Sequence, residues 1–314
     1  MKITVTGGLG HIGSALIRSN LAPLGVDEIV IVDSLSTQRF SSIFNLSQKP
    51  KITFIDKPVQ FLINKDLETI EGSTALIHLA AMTDASGSVD KKDELFANNL
   101  GGTEAVIKLC SSKGIKLIFP SSTSVYGSQL SLVDENSLDL NPQSPYADCK
   151  LKEEASIKDA TALGLFGVIL RFGTIHGVSP GMRFHTAVNK FCFDYVLDKP
   201  LSVWRTAINQ YRPYLALSDA VNAIHHVIAN DIYDGQIYNV LTENISLQRI
   251  ISTIEEIGGR PARIEYVDSA IMNQFSYEVS KLKFQETGFE YQGSVHEDIS
   301  NTLKILDGIQ NVRL

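Results

Sequence analysis

Short apolar blocks and amphipathic stretches alternate along the first two thirds of the chain. Ile3–Thr6, Glu28–Asp33 (EIVIVD), Ile52–Ile55, Ala75–Ala81 (ALIHLAA), Lys116–Pro120 (KLIFP) and Gly167–Phe172 (GVILRF) are nearly continuous runs of Ile, Val, Leu and Phe. Runs of that kind suit strands buried on both faces. His11–Ser19, Phe96–Lys113 and Tyr146–Leu163 lie between them and read as helices. The alternation predicts an α/β fold, a doubly wound parallel sheet with helices on both sides. After residue 173 the texture changes. Val178–Gly181 and Trp204–Pro213 read as irregular, Ser218–Ala229 as a helix and Gln236–Val240 as a strand.

Composition narrows the classes. With 314 residues, 44% of them hydrophobic, the chain has ample material for a large core. A formal net charge of −7 excludes a general basic surface for nucleic acid, so an anionic ligand needs a local cluster of donors. Cys110, Cys149 and Cys192 are odd in number and widely spaced, and the seven histidines lack metal-ligand spacing. Neither a disulfide framework nor a metal site is expected, and a reducing cytoplasm fits. His225 and His226, on different faces of one helix, read as structural, and Cys149 as a small buried residue. The opening MKITVTGGLG goes straight into a strand, and the longest apolar runs are too short for a bilayer. A soluble protein with no membrane partner is the expectation.

The first turn reads Gly7-Gly8-Leu9-Gly10-His11-Ile12-Gly13, between a strand and a helix. Glycines at positions 7, 10 and 13 permit a tight turn and let the backbone approach a pyrophosphate, which the helix N-terminus then favours. Three glycines alone are also what any tight turn needs. Asp33, 20 residues after Gly13, ends the second strand. A carboxylate there binds both ribose hydroxyls and repels a 2′-phosphate, which favours NAD over NADP. Arg39 lies close enough in sequence to argue the other way, or is an ordinary surface arginine.

A second constellation follows. Pro120–Gly127 (PSSTSVYG) comes after an apolar strand, and Tyr146-Ala-Asp-Cys-Lys150 opens a helix. Tyr146 and Lys150, four apart, share a helical face. Tyrosine ordinarily ionises near pH 10, and a neighbouring ammonium favours the phenolate. A serine hydroxyl from the preceding strand hydrogen-bonds the reacting oxygen. The set supplies a general acid/base beside a hydride acceptor. Tyr-x-x-x-Lys by itself is a common surface pair. Its weight comes from following the glycine turn, the acidic strand end and the serine-rich strand end in that order.

With these motifs in order, the chain resembles the extended short-chain dehydrogenase/reductases of the nucleotide-sugar epimerase/dehydratase family, UDP-glucose 4-epimerase-like enzymes among them. His78-Leu79-Ala80-Ala81 resembles the family's third-strand segment beside the cofactor, and Asn99-Leu-Gly-Gly102-Thr103 its Asn-x-x-Gly-Thr helix. Ser122 stands where the family has its catalytic Ser or Thr, and Tyr146 and Lys150 match the catalytic pair. Arg212-Pro-Tyr-Leu-Ala-Leu-Ser-Asp219 resembles the segment whose arginine binds the nucleotide diphosphate. Asp56 resembles the adenine-contacting aspartate, or is a turn residue. Thr83 and Thr123 fall beside the nicotinamide and substrate. The chain departs from the family at Thr174, where an asparagine commonly contacts the diphosphate. Arg212 is then the leading diphosphate ligand, with Arg183 and Asn189 behind it.

The resemblance implies a Rossmann domain over residues 1–173 and 218–240, and a smaller interleaved α/β substrate lobe over 174–217 and 241–314. It implies bound NAD, a nucleotide-diphosphate sugar as substrate, and a homodimer packed through the helices that carry Asn99 and Tyr146. The chemistry it implies is oxidation at a sugar carbon, most readily C4, to a transient ketone and re-reduction on the other face. A dehydratase, decarboxylase or reductase shares the first step. A non-catalytic nucleotide-binding regulator would have no need of Ser122, Tyr146 and Lys150 together. Dehydratases of the family usually carry acidic residues directly after the catalytic Ser or Thr. Here those positions are Thr123 and Ser124, although Asp84 offers a carboxylate from another loop.

Overall fold

The computed structural model describes residues 1–83, 90–267 and 277–309. Its centre is a seven-stranded sheet built from β1 (Lys2–Thr6), β2 (Glu28–Asp33), β3 (Lys51–Asp56), β4 (Ala75–His78), β5 (Lys116–Ser122), β6 (Gly167–Phe172) and β10 (Asp234–Val240). The order across the sheet is β10-β6-β5-β4-β1-β2-β3, and every pairing is parallel. The order reverses at β1, so the first connections run outward on both sides, as in a doubly wound sheet.

Helix α1 (His11–Leu16) follows β1, and α2 (Asn64–Ile70) lies between β3 and β4. The long helices α3 (Lys92–Lys113) and α4 (Pro145–Ala162) pack side by side and flank the sheet. Two apolar layers result. Ile3, Val5, Ile29, Ile31, Ile77 and Val168 face one side, with Leu16 and Ile224 closing over them. Val30, Val32, Leu76, Leu117, Phe119 and Ile169 face the other, covered by Val106, Leu109 and Ile157. Alternate residues of one strand serve opposite layers, which is why the central strands carry continuous apolar runs rather than an alternating pattern.

α1 stops at Leu16 and β4 at His78, both earlier than expected, because the chain turns out of the element there. α3 starts at Lys92, a turn before the expected Phe96. Trp204–Pro213, expected to be irregular, is corrected at its end. Tyr211–Ala216 forms strand β9, which pairs in parallel with β7 (Thr174–His176) and antiparallel with β11 (Glu243–Ser246). β8 (Leu201–Trp204) pairs with β12 (Ile264–Val267). α5 (Ala187–Val196), α7 (Leu247–Gly258) and α9 (Val295–Ile305) pack around these strands in a separate core that includes Phe191, Tyr195, Ile250, Ile254 and Ile299.

The two cores are interleaved more finely than a division at residue 241 allows. α6 (Leu217–Ala229) packs on α1. Phe284, on α8 (Leu282–Gln285), and Phe289 join the core of the large sheet, their rings in tilted contact, although they come after α7 of the second core. Among the described residues no helix is long and apolar enough to cross a membrane.

Candidate functional site

The C-terminal edge of the large sheet gathers the motif residues. At the exit of β1, Gly7 has φ +65° and its amide donates to the Val32 carbonyl at 2.7 Å. A Cβ on Gly7 would lie 2.5 Å from the Ala80 nitrogen, and one on Gly13 would lie 2.6 Å from the Gly7 carbonyl oxygen. Only glycine lets β1, α1 and the segment Leu79–Ala81 meet this closely. Beyond backbone of its own turn, a Cβ on Gly10 would meet only the Arg39 guanidinium, at 3.8 Å. The turn is thus closed toward the sheet and open on its outer side.

Asp33 ends β2 beside that opening. One carboxylate oxygen accepts from the Leu9 amide at 3.0 Å and the other from the Leu35 amide at 2.9 Å. Each oxygen keeps a further lone pair for a ribose hydroxyl. Arg39 is drawn electrostatically toward Asp33. Asp56 is exposed and paired in register with Asp33 on the neighbouring strand. The glycine cradle and the anchored carboxylate fit a dinucleotide that carries a free 2′-hydroxyl.

His11 and Ile12 offer this cradle only their backbone. His11 is buried, with Nε2 2.8 Å from the Gly177 carbonyl, and burial pushes its pKa down to about 3. The ring is therefore neutral and ties the glycine turn to the substrate lobe. Ile12 packs on the apolar layer. Asn99 braces the loop after β4: its Oδ1 accepts from the Met82 amide at 2.8 Å and its Nδ2 donates to the Met82 carbonyl at 3.0 Å. Asp84 lies outside the described residues.

Ser122 ends β5 and caps the short helical turn Thr123–Tyr126, its Oγ accepting from the Ser124 amide. Ser122 and Ser124 hydroxyls are 2.9 Å apart. The Thr123 hydroxyl faces away, toward the Phe172 carbonyl at 3.3 Å and the buried Tyr277 phenol. The turn alternates its side chains, so Ser124, singled out in the sequence only as a non-acidic position after Ser122, lies on the Ser122 side while Thr123 faces the Phe172 carbonyl.

Tyr146 and Lys150 sit on the buried face of α4, which starts with Ser144 accepting from the Ala147 amide and Pro145 at the first helical position. The Lys150 ammonium lies 4.5 Å from the Phe119 ring centroid and 6.0 Å from that of Tyr146. Burial raises the Tyr146 pKa above the ordinary tyrosine value. Lys150, Arg183 and a hydrogen bond with Ser122 work against that rise. Lys150 pulls the Tyr146 pKa down as expected, but within the protein's own groups desolvation outweighs that pull, and the tyrosine rests protonated.

Two acidic residues that the motif reading missed complete this layer. Glu153 pairs with Lys150 at 3.1 Å and accepts from Thr103 at 2.7 Å. Glu154 grips Arg171 through two bonds, of 2.9 and 2.7 Å, and accepts from Ser121. Residues 150, 153 and 154 are spaced for one helical face, a signal that a search along α4 from Lys150 would have found.

Segments between β7 and β9 reach this edge. Arg183 donates to the Thr83 hydroxyl, and its charge acts on both Tyr146 and His11. It therefore stands at the reacting end of the site. Asn189 braces the segment 177–183: its Oδ1 accepts from the Gly177 amide at 3.2 Å and its Nδ2 donates to the Arg183 carbonyl at 3.0 Å. Thr174 lies opposite Tyr214 at the start of β7. Arg212, on β9, lies 5.9 Å from the Trp204 ring and electrostatically close to Tyr214 and Tyr277.

A parallel doubly wound sheet with a glycine cradle, an acidic β2 end and a Ser-Tyr-Lys constellation defines an oxidoreductase-type dinucleotide enzyme. The NAD dependent epimerase/dehydratase family model matches residues 3–240, and the chain belongs to that family, with NAD as its cofactor. The chain is 31% identical over 279 residues, 85% of each chain, to an uncharacterized UDP-glucose epimerase, YtcB, of Bacillus subtilis. It is 30% identical to an ADP-L-glycero-D-manno-heptose-6-epimerase of Fusobacterium nucleatum, over 76% of this chain and 74% of that one. The solved UDP-glucuronic acid 4-epimerase of Bacillus cereus, in complex with UDP-glucuronic acid and NAD, superposes with a TM-score of 0.83 at 25% identity, covering 98% of this chain and 99% of that one.

Proposed function

We propose that the chain is an NAD-dependent nucleotide-sugar epimerase that inverts C4 through a transient 4-keto sugar. Bound NAD supplies the acceptor that takes the sugar hydrogen and gives it back. Tyr146 must first lose its own proton; as the phenolate it accepts the proton of the C4 hydroxyl and later returns it, while Ser122 donates to the reacting oxygen. Lys150 offsets the negative charge on the phenolate. Gly7, Gly10, His11, Ile12 and Gly13 receive the pyrophosphate through backbone, and Asp33 takes the ribose hydroxyls. Leu79, Ala80 and Ala81 flank the cofactor, with Asp56 toward the adenine. Arg212, Thr174 and Thr83 face the nucleotide sugar. Proton transfer of this kind accounts for about 10²–10⁴-fold of the acceleration, and positioning supplies much of the remainder.

One observation carries the choice of epimerase over dehydratase. Ser122 is followed by an inward-facing Ser124 and an outward-facing Thr123. Neither titrates near neutral pH, so the described site has no extra acid and base to remove a C5 proton and expel the C6 hydroxyl. Incubation with a panel of nucleotide sugars, read by NMR and mass spectrometry, is the test. An isomer of unchanged mass is expected. A product lighter by one water would overturn epimerisation and leave the cofactor and Tyr146 assignments standing.

A second reading concerns the sugar. Arg183 acts electrostatically on Tyr146, which favours a substrate with a carboxylate near the reacting carbon, as in the ligand of the Bacillus cereus relative. The same panel, with a uronic acid included, decides it. For the assembly we propose a cytoplasmic homodimer through α3 and α4, which light scattering would check.

A further inference from the structure

We propose that Glu153 is a positioning residue of this site: locked by Thr103, it fixes the Lys150 ammonium in place and balances its charge, and so sets the pH at which Tyr146 works. The inference rests on Tyr146 being the acid/base.

The geometry is specific. Glu153 is fully buried and Lys150 nearly so, with side-chain exposures of 0% and 4%. A carboxylate is almost never buried without a partner. Glu153 has two: the Lys150 ammonium at 3.1 Å on Oε2, and the Thr103 hydroxyl at 2.7 Å on Oε1. Thr103 belongs to α3, so the carboxylate is pinned from a second element and cannot follow Lys150 if it moves. Lys150 also reaches the Pro120 carbonyl at 3.5 Å, which draws the ammonium to the base of the pocket.

Other groups face the same centre. His78 of β4 is buried and neutral, its pKa pushed down to about 3 by burial and then by Lys150. Ser122 comes from β5 and Arg183 from the segment before α5, and Cys149 from α4 itself. Among the described residues the buried carboxylate paired with Lys150 is that of Glu153, and it counteracts the pull of Lys150 on Tyr146. Burial by itself pulls the Lys150 pKa down, and the ion pair with Glu153, helped by Tyr146, reverses the direction.

The consequence follows from charge. Glu153, Lys150 and a protonated Tyr146 are neutral as a set, so loss of a proton leaves one buried negative charge. With glutamine at 153 the set starts with one positive charge and reaches neutrality on losing the proton. The first deprotonation of the Tyr146–Lys150 pair becomes easier, whichever of the two releases it. Opposite charges at this range shift such values by about one to three pH units.

The test is a tyrosinate absorbance titration of the protein as purified with bound NAD, run on wild type and Glu153→Gln, each with and without Tyr146→Phe. The Tyr146-dependent transition should fall by about one to three pH units in Glu153→Gln, and the acid limb of the kcat profile should move with it. Glu153→Asp, which keeps the charge, should restore the transition. A Tyr146-dependent transition that stays in place or rises overturns the role of Glu153. If Glu153→Gln does not fold, carbon-13 NMR of lysine in the wild-type protein decides: Lys150 should titrate above ordinary lysines, and titration below them overturns the inference. Retained turnover in Tyr146→Phe would instead sink the acid/base assignment itself.

Discussion

At single residues, the site separates groups that react from groups that hold. Tyr146→Phe removes the proton shuttle while leaving the glycine cradle and Asp33 intact. Turnover should drop by about 10²–10⁴-fold or more, with NAD still bound, and steady-state kinetics beside a cofactor assay of the purified protein would check both. Asp33 governs a different property. Its carboxylate is fixed by the Leu9 and Leu35 amides, so it cannot swing away from a 2′-phosphate. Asp33→Ser should lower discrimination against NADP, with Arg39 at the same opening available to receive the phosphate. Titration with the two cofactors is the measurement, and an unchanged preference would assign the discrimination elsewhere.

Between elements, two asparagines do the joining. Asn189 binds α5 to the backbone of Gly177 and Arg183, and Asn99 binds α3 to Met82. Asn189→Leu should cost about 1–3 kcal/mol by orphaning buried backbone groups. It should also raise KM through the loosened Arg183 segment while leaving NAD affinity nearly unchanged. Denaturant midpoints and substrate kinetics together test it. These braces show where the sequence stopped being legible. The large sheet could be read because its central strands carry continuous apolar runs, and the glycine turn because Asp33 follows it at the spacing a dinucleotide needs. Asn99, Asn189 and Thr123 were legible as polar residues near the site, but not which way their side chains point. A single strand-to-turn alternation sends Thr123 toward Phe172 and Ser124 toward Ser122. Glu153 sits in the run Lys-Leu-Lys-Glu-Glu, which reads as a solvated helix face. Only the packing of α3 on α4 reveals it as buried.

Over the whole molecule, acid should act through buried neutral histidines. His11 and His78 are held near 3, well below the ordinary histidine value, chiefly by burial. A base with a depressed folded value binds fewer protons folded than unfolded. Stability is therefore intact above about pH 6.5 and falls as the pH drops from there toward 3. Each histidine should cost on the order of 1–2 kcal/mol by pH 5. Urea midpoints at pH 7 and pH 5 would show the loss, and a midpoint unmoved across that window would contradict the neutral, buried assignment of both rings.

The position of β10 bears on how the chain comes off the ribosome. Its partner β6 is finished at Phe172, yet β10 begins only at Asp234. Phe284 and Phe289, which fill the same core, are made later still. Throughout the synthesis of β7 to α6, β6 presents an open, apolar edge to whatever is nearby. Parallel pairing across so long a stretch of chain is slow to form and exposed to aggregation while it waits. Ribosome-arrested chains ending at residue 230 should be cut rapidly by protease, whereas arrest far enough downstream for residue 290 to clear the exit tunnel should confer resistance. The nascent protein would be the form most in need of a chaperone.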